Sequence, residues 1–151
     1  MKKILQNLFY LFFPLVIGGT IAFLIRDSID YTSLVRPILA PPKSLFPIAW
    51  TILYLLMGIS YFLYKKEYEE NSFVDLVYYV QLFVNALWSL IFFLWKARFI
   101  AVIWIILLDV LVIFMIYLFW NKKKISAYFN IPYLLWILFA TYLTIGTAIL
   151  N

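Results

Sequence analysis

Five long apolar runs, none holding more than one charged residue, decide most of what this 151-residue chain can become. They lie near Ile4–Ile25, Leu45–Tyr64, Phe73–Trp95, Phe99–Trp120 and Ser126–Leu150. A helix rises about 1.5 Å per residue, so about 20 apolar residues cross the roughly 30 Å hydrocarbon core of a bilayer. A spanning β-strand needs about half that length and alternates apolar with polar residues, a pattern missing from all five runs. Inside lipid, an isolated helix satisfies its own backbone polar groups. The expected fold is an all-α integral membrane protein, a five-transmembrane-helix bundle forming a single domain over residues 1–151.

Polar residues concentrate in the breaks between the runs. The longest break, residues 26–44, carries RDSIDYTSLVRPILAPPKS; the others are KKEYEENS, KAR and NKKK. Met1-Lys2-Lys3 followed by an apolar run also describes a signal peptide, with small residues near Thr20-Ile21-Ala22. That run is about 22 residues, longer than a usual signal core, and continues to Arg26, which favours a first spanning helix. Seven Lys/Arg fall beside the start of the chain and in the second and fourth loops, against five on the other side. This bias favours a cytoplasmic N-terminus. The net charge of +5 is mostly juxtamembrane and suits anionic headgroups, so membrane lipid is an expected partner. With no basic face bearing a recognition element, nucleic acid is not.

The chain has no cysteine and no histidine. Disulfides, thiolate catalysis, histidine acid/base chemistry and ordinary zinc or copper sites are thereby excluded, and haem iron would lack its usual axial ligand. No glycine-rich phosphate loop, serine nucleophile elbow or HExxH pattern occurs.

Polar residues within the spans are few. Asp109, in IILLDVLVI, must face the bundle interior and find a partner, either as an interhelical hydrogen bond or as a proton or ligand site. Gln81, Asn85 and Ser89 follow at intervals of four on one face of the third span, flanked by Trp88 and Phe92. They read either as interhelical glue or as the polar side of an aromatic cavity. Trp50 and Tyr54 stack one turn apart in the second span. In the fifth, Ala140, Thr144 and Ala148 form a small-residue stripe that admits a close neighbour, with Trp136 one turn earlier. Trp95, Trp104 and Trp120, near span ends, read as interfacial anchors. Gly18 and Ala22 form a small-xxx-small pair, a weak helix-dimer signal.

Five stretches carry a more specific pattern: APP at 40–42, FPIAWTILYLLMG in the second span, QLFVNALWSLIFF in the third, LLDVLV in the fourth, and IPYLLWILFATYL with a following LN in the fifth. In order and spacing they cover nearly the whole chain, which resembles the TspO/MBR family, the tryptophan-rich sensory proteins that include the mitochondrial translocator protein, or peripheral-type benzodiazepine receptor. The resemblance implies a five-helix bundle, commonly a homodimer, whose first loop closes over a cavity between helices. It implies binding of tetrapyrroles such as protoporphyrin IX, and of benzodiazepine- or isoquinoline-type ligands. Carried onto this chain, the family's cavity positions fall on Tyr31, Pro41, Pro42, Trp50, Tyr54, Asn85, Trp88, Ser89, Phe92, Trp136 and Ala140. Two departures stand out: Lys43 follows Pro41-Pro42 where the family has glycine, and Thr144 stands where it has asparagine. Animal-type sterol recognition is disfavoured, since no Lys or Arg follows Tyr142.

The sequence thus points to a membrane receptor for a flat, apolar ligand with acidic groups, its carboxylates met by Arg36 or Lys43. No cofactor is required, and protoporphyrin enters as ligand. Light-dependent porphyrin degradation, with Trp50 and Trp136 as oxidisable donors, is a second expectation. A transporter or partner-binding scaffold ranks third, because five helices do not divide into equal repeats. High Ile, Lys, Phe and Tyr usage points to a bacterial cytoplasmic membrane.

Overall fold

The computed structural model describes residues 1–70 and 72–151. Five helices, and no strand among the described residues, make up the fold: α1 (Lys2–Ile25), α2 (Leu45–Lys65), α3 (Ser72–Ser89, continued by a π-helical turn over Leu90–Leu94), α4 (Arg98–Lys122) and α5 (Lys124–Leu150). Each is long and apolar enough to cross a membrane, so the chain is an integral multi-pass membrane protein. The helix ends fall within two residues of the limits expected from hydropathy.

Contacts run α1 to α2, α2 to α5, α5 to α4, α4 to α3 and α3 back to α1, closing a ring, with the α4/α5 and α1/α2 contacts the most extensive. Large apolar side chains such as Phe99, Ile103, Leu135 and Ile149 point outward, as helices in hydrocarbon require. The interior holds a band of tyrosines, Tyr61, Tyr64, Tyr78 and Tyr133, packed around Met57 and Phe119. Tyr61 and Tyr78 stack in parallel, centroids 3.9 Å apart.

Lipid gives no hydrophobic driving force between helices, so packing and hydrogen bonds must hold them. The α2/α5 seam shows both. Ser60 Oγ donates to the Ser126 carbonyl (2.7 Å) and Ser126 Oγ to the Ser60 carbonyl (2.8 Å), while Asn130 Nδ2 donates to Ser60 Oγ (2.6 Å). The α1/α2 contact depends on small residues: a Cβ on Gly58 would fall on the Leu11 carbonyl, and one on Gly18 on the Tyr54 ring. Gly18 therefore serves a contact within the chain, which corrects its reading as part of a dimer face.

At the end of the bundle away from the 26–44 loop, Lys65 Nζ lies 2.9 Å from Asp75 Oδ2, and the Tyr61 hydroxyl donates to Asp75 Oδ1 (2.7 Å). Lys123 pairs with Glu67 across the same end. The bonds satisfy charges that sit close to the hydrocarbon boundary.

Gly58→Ala should lower the melting temperature in detergent. The overpacking cost of about 1–3 kcal/mol outweighs a helix-propensity gain of about 1 kcal/mol, whereas Gly19→Ala, which meets open space, should not destabilise. Equal melting temperatures for Gly58→Ala and wild type would mean that the α1/α2 approach is looser than described.

Candidate functional site

The 26–44 loop closes one end of the bundle. Prolines hold its shape: φ is fixed near −65° at Pro37, Pro41 and Pro42, and the residue before each is biased away from helix. Pro47 falls in the first turn of α2, where a missing N–H costs nothing. The backbone of Lys43 is not left-handed; that conformation occurs four residues earlier, at Leu39 (φ 75°). The lysine at the family's glycine position is therefore accommodated without strain there.

Three contacts tie this lid to α5. Asn151, which caps α5, accepts from the Val35 N–H (3.0 Å) and donates to the Val35 carbonyl (2.8 Å). Tyr142 donates its hydroxyl to the Ile38 carbonyl. Pro37 is buried against Gly146, where a Cβ would sit 2.6 Å from Pro37 Cγ. Within the lid, Tyr31 donates to the Pro41 carbonyl. Asp30 accepts from Ser33 and Thr32, and these bonds, the Ser33 side chain first, hold its carboxyl below the usual aspartate range. This turn is thus favoured above the ordinary aspartate value and lost as pH falls through the lowered one.

Beneath the lid lies a cavity of about 50 Å³ lined by Tyr31, Leu34 and Arg36 from the lid, Phe46 from α2, Trp88, Phe92 and Phe93 from α3 and its π-turn, and Ala140, Thr144 and Thr147 from α5. Of the residues expected from the sequence, Tyr31, Trp88, Phe92 and Ala140 line it directly. Trp50 stands behind Trp88 (centroids 6.4 Å) and stacks on Tyr54 (5.4 Å). Trp136 meets the lining residue Phe46 edge to face (6.0 Å). Pro41 and Pro42 shape the lid turn without lining the cavity, and Lys43 is exposed beside them.

The polar stripe of α3 divides. Tyr133 of α5 donates to Gln81 Oε1 (2.9 Å) and accepts from Asn85 Nδ2 (2.9 Å). Gln81 and Asn85 therefore join helices, below the cavity, while Ser89 is buried one turn above Asn85. Asp109 is likewise an interhelical partner, its Oδ2 accepting from the Thr141 hydroxyl at 2.8 Å. Trp104 corrects its reading as an anchor: its indole donates to the Val84 carbonyl (2.9 Å) inside the bundle. Trp95 and Trp120 remain exposed.

Among the described residues, the buried indole N–H groups of Trp88 and Trp136 have no hydrogen-bond partner. An unmade bond in an apolar setting costs roughly 1–3 kcal/mol; Trp88 lines the cavity, and Trp136 packs on its lining residue Phe46. The lining residues Leu34, Phe46, Phe93, Thr144 and Thr147 were not among those expected. Phe46 was legible as the residue one turn before Trp50, and Thr144 as a member of the small-residue stripe. Phe93 was not, because adjacent residues on an α-helix diverge by about 100° and Phe92 already held the site face; both lie in the π-turn and both line the cavity.

The sequence profile of the TspO/MBR family matches residues 10–150. The tryptophan-rich protein TspO of Archaeoglobus fulgidus is 36% identical over 140 residues, 91% of each chain. The translocator protein homolog of Schizosaccharomyces pombe is 30% identical, covering 91% of this chain and 87% of its own. The tryptophan-rich protein TspO of Bacillus cereus is 30% identical, covering 95% and 94%.

Asn151→Ala removes three side-chain hydrogen bonds, two of them to Val35 of the lid and one to the Thr147 carbonyl, worth about 0.5–1.5 kcal/mol each. Amide exchange around Val35, followed by mass spectrometry, should accelerate by roughly tenfold, with α3 protection unchanged. Unaltered exchange at 33–38 would show that the lid is held without the latch.

Proposed function

The chain belongs to the TspO/MBR family, and from that premise we propose that it is a membrane receptor for flat, largely apolar ligands of the tetrapyrrole kind, protoporphyrin IX foremost, with benzodiazepine- and isoquinoline-type compounds as further ligands of the same site. The observation that carries the reading is the pair of unpartnered indole donors, Trp88 and Trp136, beside an aromatic cavity roofed by a proline-stiffened lid. A planar ligand would lie against Trp50, Trp88, Phe92 and Trp136, slide over the small Ala140, and accept hydrogen bonds from the indoles. Tyr54 supports Trp50 from behind. Asn85 and Ser89 carry the floor beneath Trp88 rather than the first contacts.

At about 50 Å³ the cavity is far below the about 300–1,000 Å³ usual for small-molecule sites. Entry therefore displaces the lid, opening it along the Asn151 and Tyr142 contacts as a preformed unit whose internal order is not lost on binding. A homodimer is proposed as well, on family membership alone.

A second reading, light-driven oxidation of bound porphyrin by dioxygen, is favoured by one observation. Trp50 stands in a set of oxidisable rings, with Tyr54 at 5.4 Å, Tyr133 at 6.3 Å and Trp88 at 6.4 Å. The pigment supplies the excited state and dioxygen the oxidant; Trp50 and Trp136 are the donors the protein adds.

Titration of protoporphyrin IX followed by its own fluorescence should give an affinity that falls roughly 30-fold or more, about 2 kcal/mol, in the Trp50→Ala/Trp136→Ala double variant. Unchanged affinity would defeat the site assignment. Under illumination in air, wild type should convert bound porphyrin to an open-chain spectrum faster than the Trp50→Phe/Trp136→Phe variant; equal rates would mean simple photobleaching and remove the second reading.

A further inference from the structure

The lid end of the bundle carries more positive charge than its own carboxylates can answer. Of its two aspartates, Asp27 pairs with Arg26, and Asp30 is engaged by Ser33 and Thr32. Among the described residues no carboxylate lies within ion-pair distance of Arg36, Lys96 or Arg98. Two of these cations are held in register with the cavity. The Arg36 guanidinium lies over the Tyr31 ring (4.7 Å) and that of Arg98 over the Phe92 ring (5.1 Å), and both rings line the cavity. Stacking on an aromatic face fixes the plane of a guanidinium while leaving its N–H edge free to donate.

A second, smaller hollow continues from the cavity. It shares Tyr31, Leu34, Phe92 and Phe93 with it and is bounded by Ser28, Ile29 and Asp30 of the lid, the Asp30 carboxylate being taken up by Ser33 and Thr32, and by Lys96 and Arg98. The wall between the two hollows is thus apolar, and its two margins bear Arg36 and Arg98. Two features put Arg98 there. The π-turn carries Phe92, the ring on which Arg98 stacks, and Lys96 adopts a left-handed backbone (φ 54°) that reverses the chain into α4 within three residues. A left-handed lysine is uncommon and costs energy, so the KAR turn is held by its surroundings.

We propose that Arg36 and Arg98 form a two-guanidinium rim that recognises paired carboxylates on an otherwise apolar ligand, with the ligand body in the cavity between them. The proposal deepens the receptor reading and rests on it. It assigns to Arg98 a role that neither hydropathy nor the family motifs indicate, and it replaces Lys43, which borders neither hollow, as the partner of Arg36. Carboxylates suit the rim because a guanidinium presents parallel N–H donors matching the two oxygens. Both cations being solvent-accessible, the gain per pair is modest and salt-sensitive. The apolar wall selects for the body of the ligand, and the rim selects for its acidic ends.

The test compares protoporphyrin IX, a dicarboxylic acid, with its dimethyl ester in nanodiscs of zwitterionic lipid, where no anionic headgroup competes for the guanidinia. Wild type should bind the diacid more tightly than the ester, and the difference should shrink as ionic strength rises. Arg36→Gln and Arg98→Gln should each weaken the diacid about two- to fivefold at low salt and leave the ester unchanged; in the double variant the preference should vanish. Arg98→Lys, which keeps charge but loses the fork, should fall between. Equal affinity of wild type for both probes, or equal weakening of both in Arg98→Gln, overturns the rim while leaving the receptor reading standing. Failure of wild type to bind either probe overturns the receptor reading and the rim with it. Anionic lipid that erases the diacid preference would identify headgroups as competitors for the same guanidinia, which supports the rim.

Discussion

In hydrocarbon a polar group without a partner costs several kcal/mol, and the packing of this chain follows from where its few intramembrane polar side chains find partners. Most of those partners lie on α5. Ser126 and Asn130 clasp Ser60 of α2, Tyr133 joins Gln81 and Asn85 of α3, and Thr141 holds Asp109 of α4. Reading up α5 from Ser126 to Asn151, the partners pass from α2 to α3 to α4 and then to the lid. One helix therefore fixes the positions of three others and of the roof. The cavity sits where this series of bonds gives way to small side chains, Ala140, Thr144 and Thr147, whose hydroxyls are spent on their own helix.

Stiffness and opening are reconciled by where each resides. Prolines fix the interior of the lid, so on the proposed receptor reading it would open as a unit and lose little entropy when a ligand orders it. Its attachments are few: one asparagine, one tyrosine hydroxyl and one proline against a glycine. Motions that break a handful of surface hydrogen bonds fall in the microsecond to millisecond range. On the proposed receptor reading a cavity of this small volume is the closed state, and the left-handed Leu39 stores a little strain in the roof.

Much of the bundle was legible in the sequence because length and hydropathy constrain lipid-spanning helices so tightly. The spans and the all-helical character of the described residues followed from composition along the chain. The α3 stripe was legible as polar, but not as to which of its members would bond Tyr133 and which would support a site, since that depends on the height at which α5 crosses α3. Ser60, Ser126 and Asn130 went unnoticed because an isolated serine or asparagine in a greasy run looks incidental until its partner on another helix is known. Trp104 was misassigned for a related reason: proximity to a span end suggests the interface, yet its indole turns inward and meets the Val84 carbonyl of α3.

By itself, then, the sequence determined that this chain must span a membrane five times as helices and which aromatic and small residues share a helical face, because hydrocarbon thickness and the 3.6-residue period leave no other arrangement. Only the tertiary structure decided that Gly18 faces Tyr54 rather than another chain, that the polar stripe is consumed by Tyr133, and that Phe93 and Arg98 reach the mouth. Those outcomes depend on interhelical height, on a π-turn and on one left-handed lysine. Such features arise from packing between segments distant in sequence, and no local pattern encodes them.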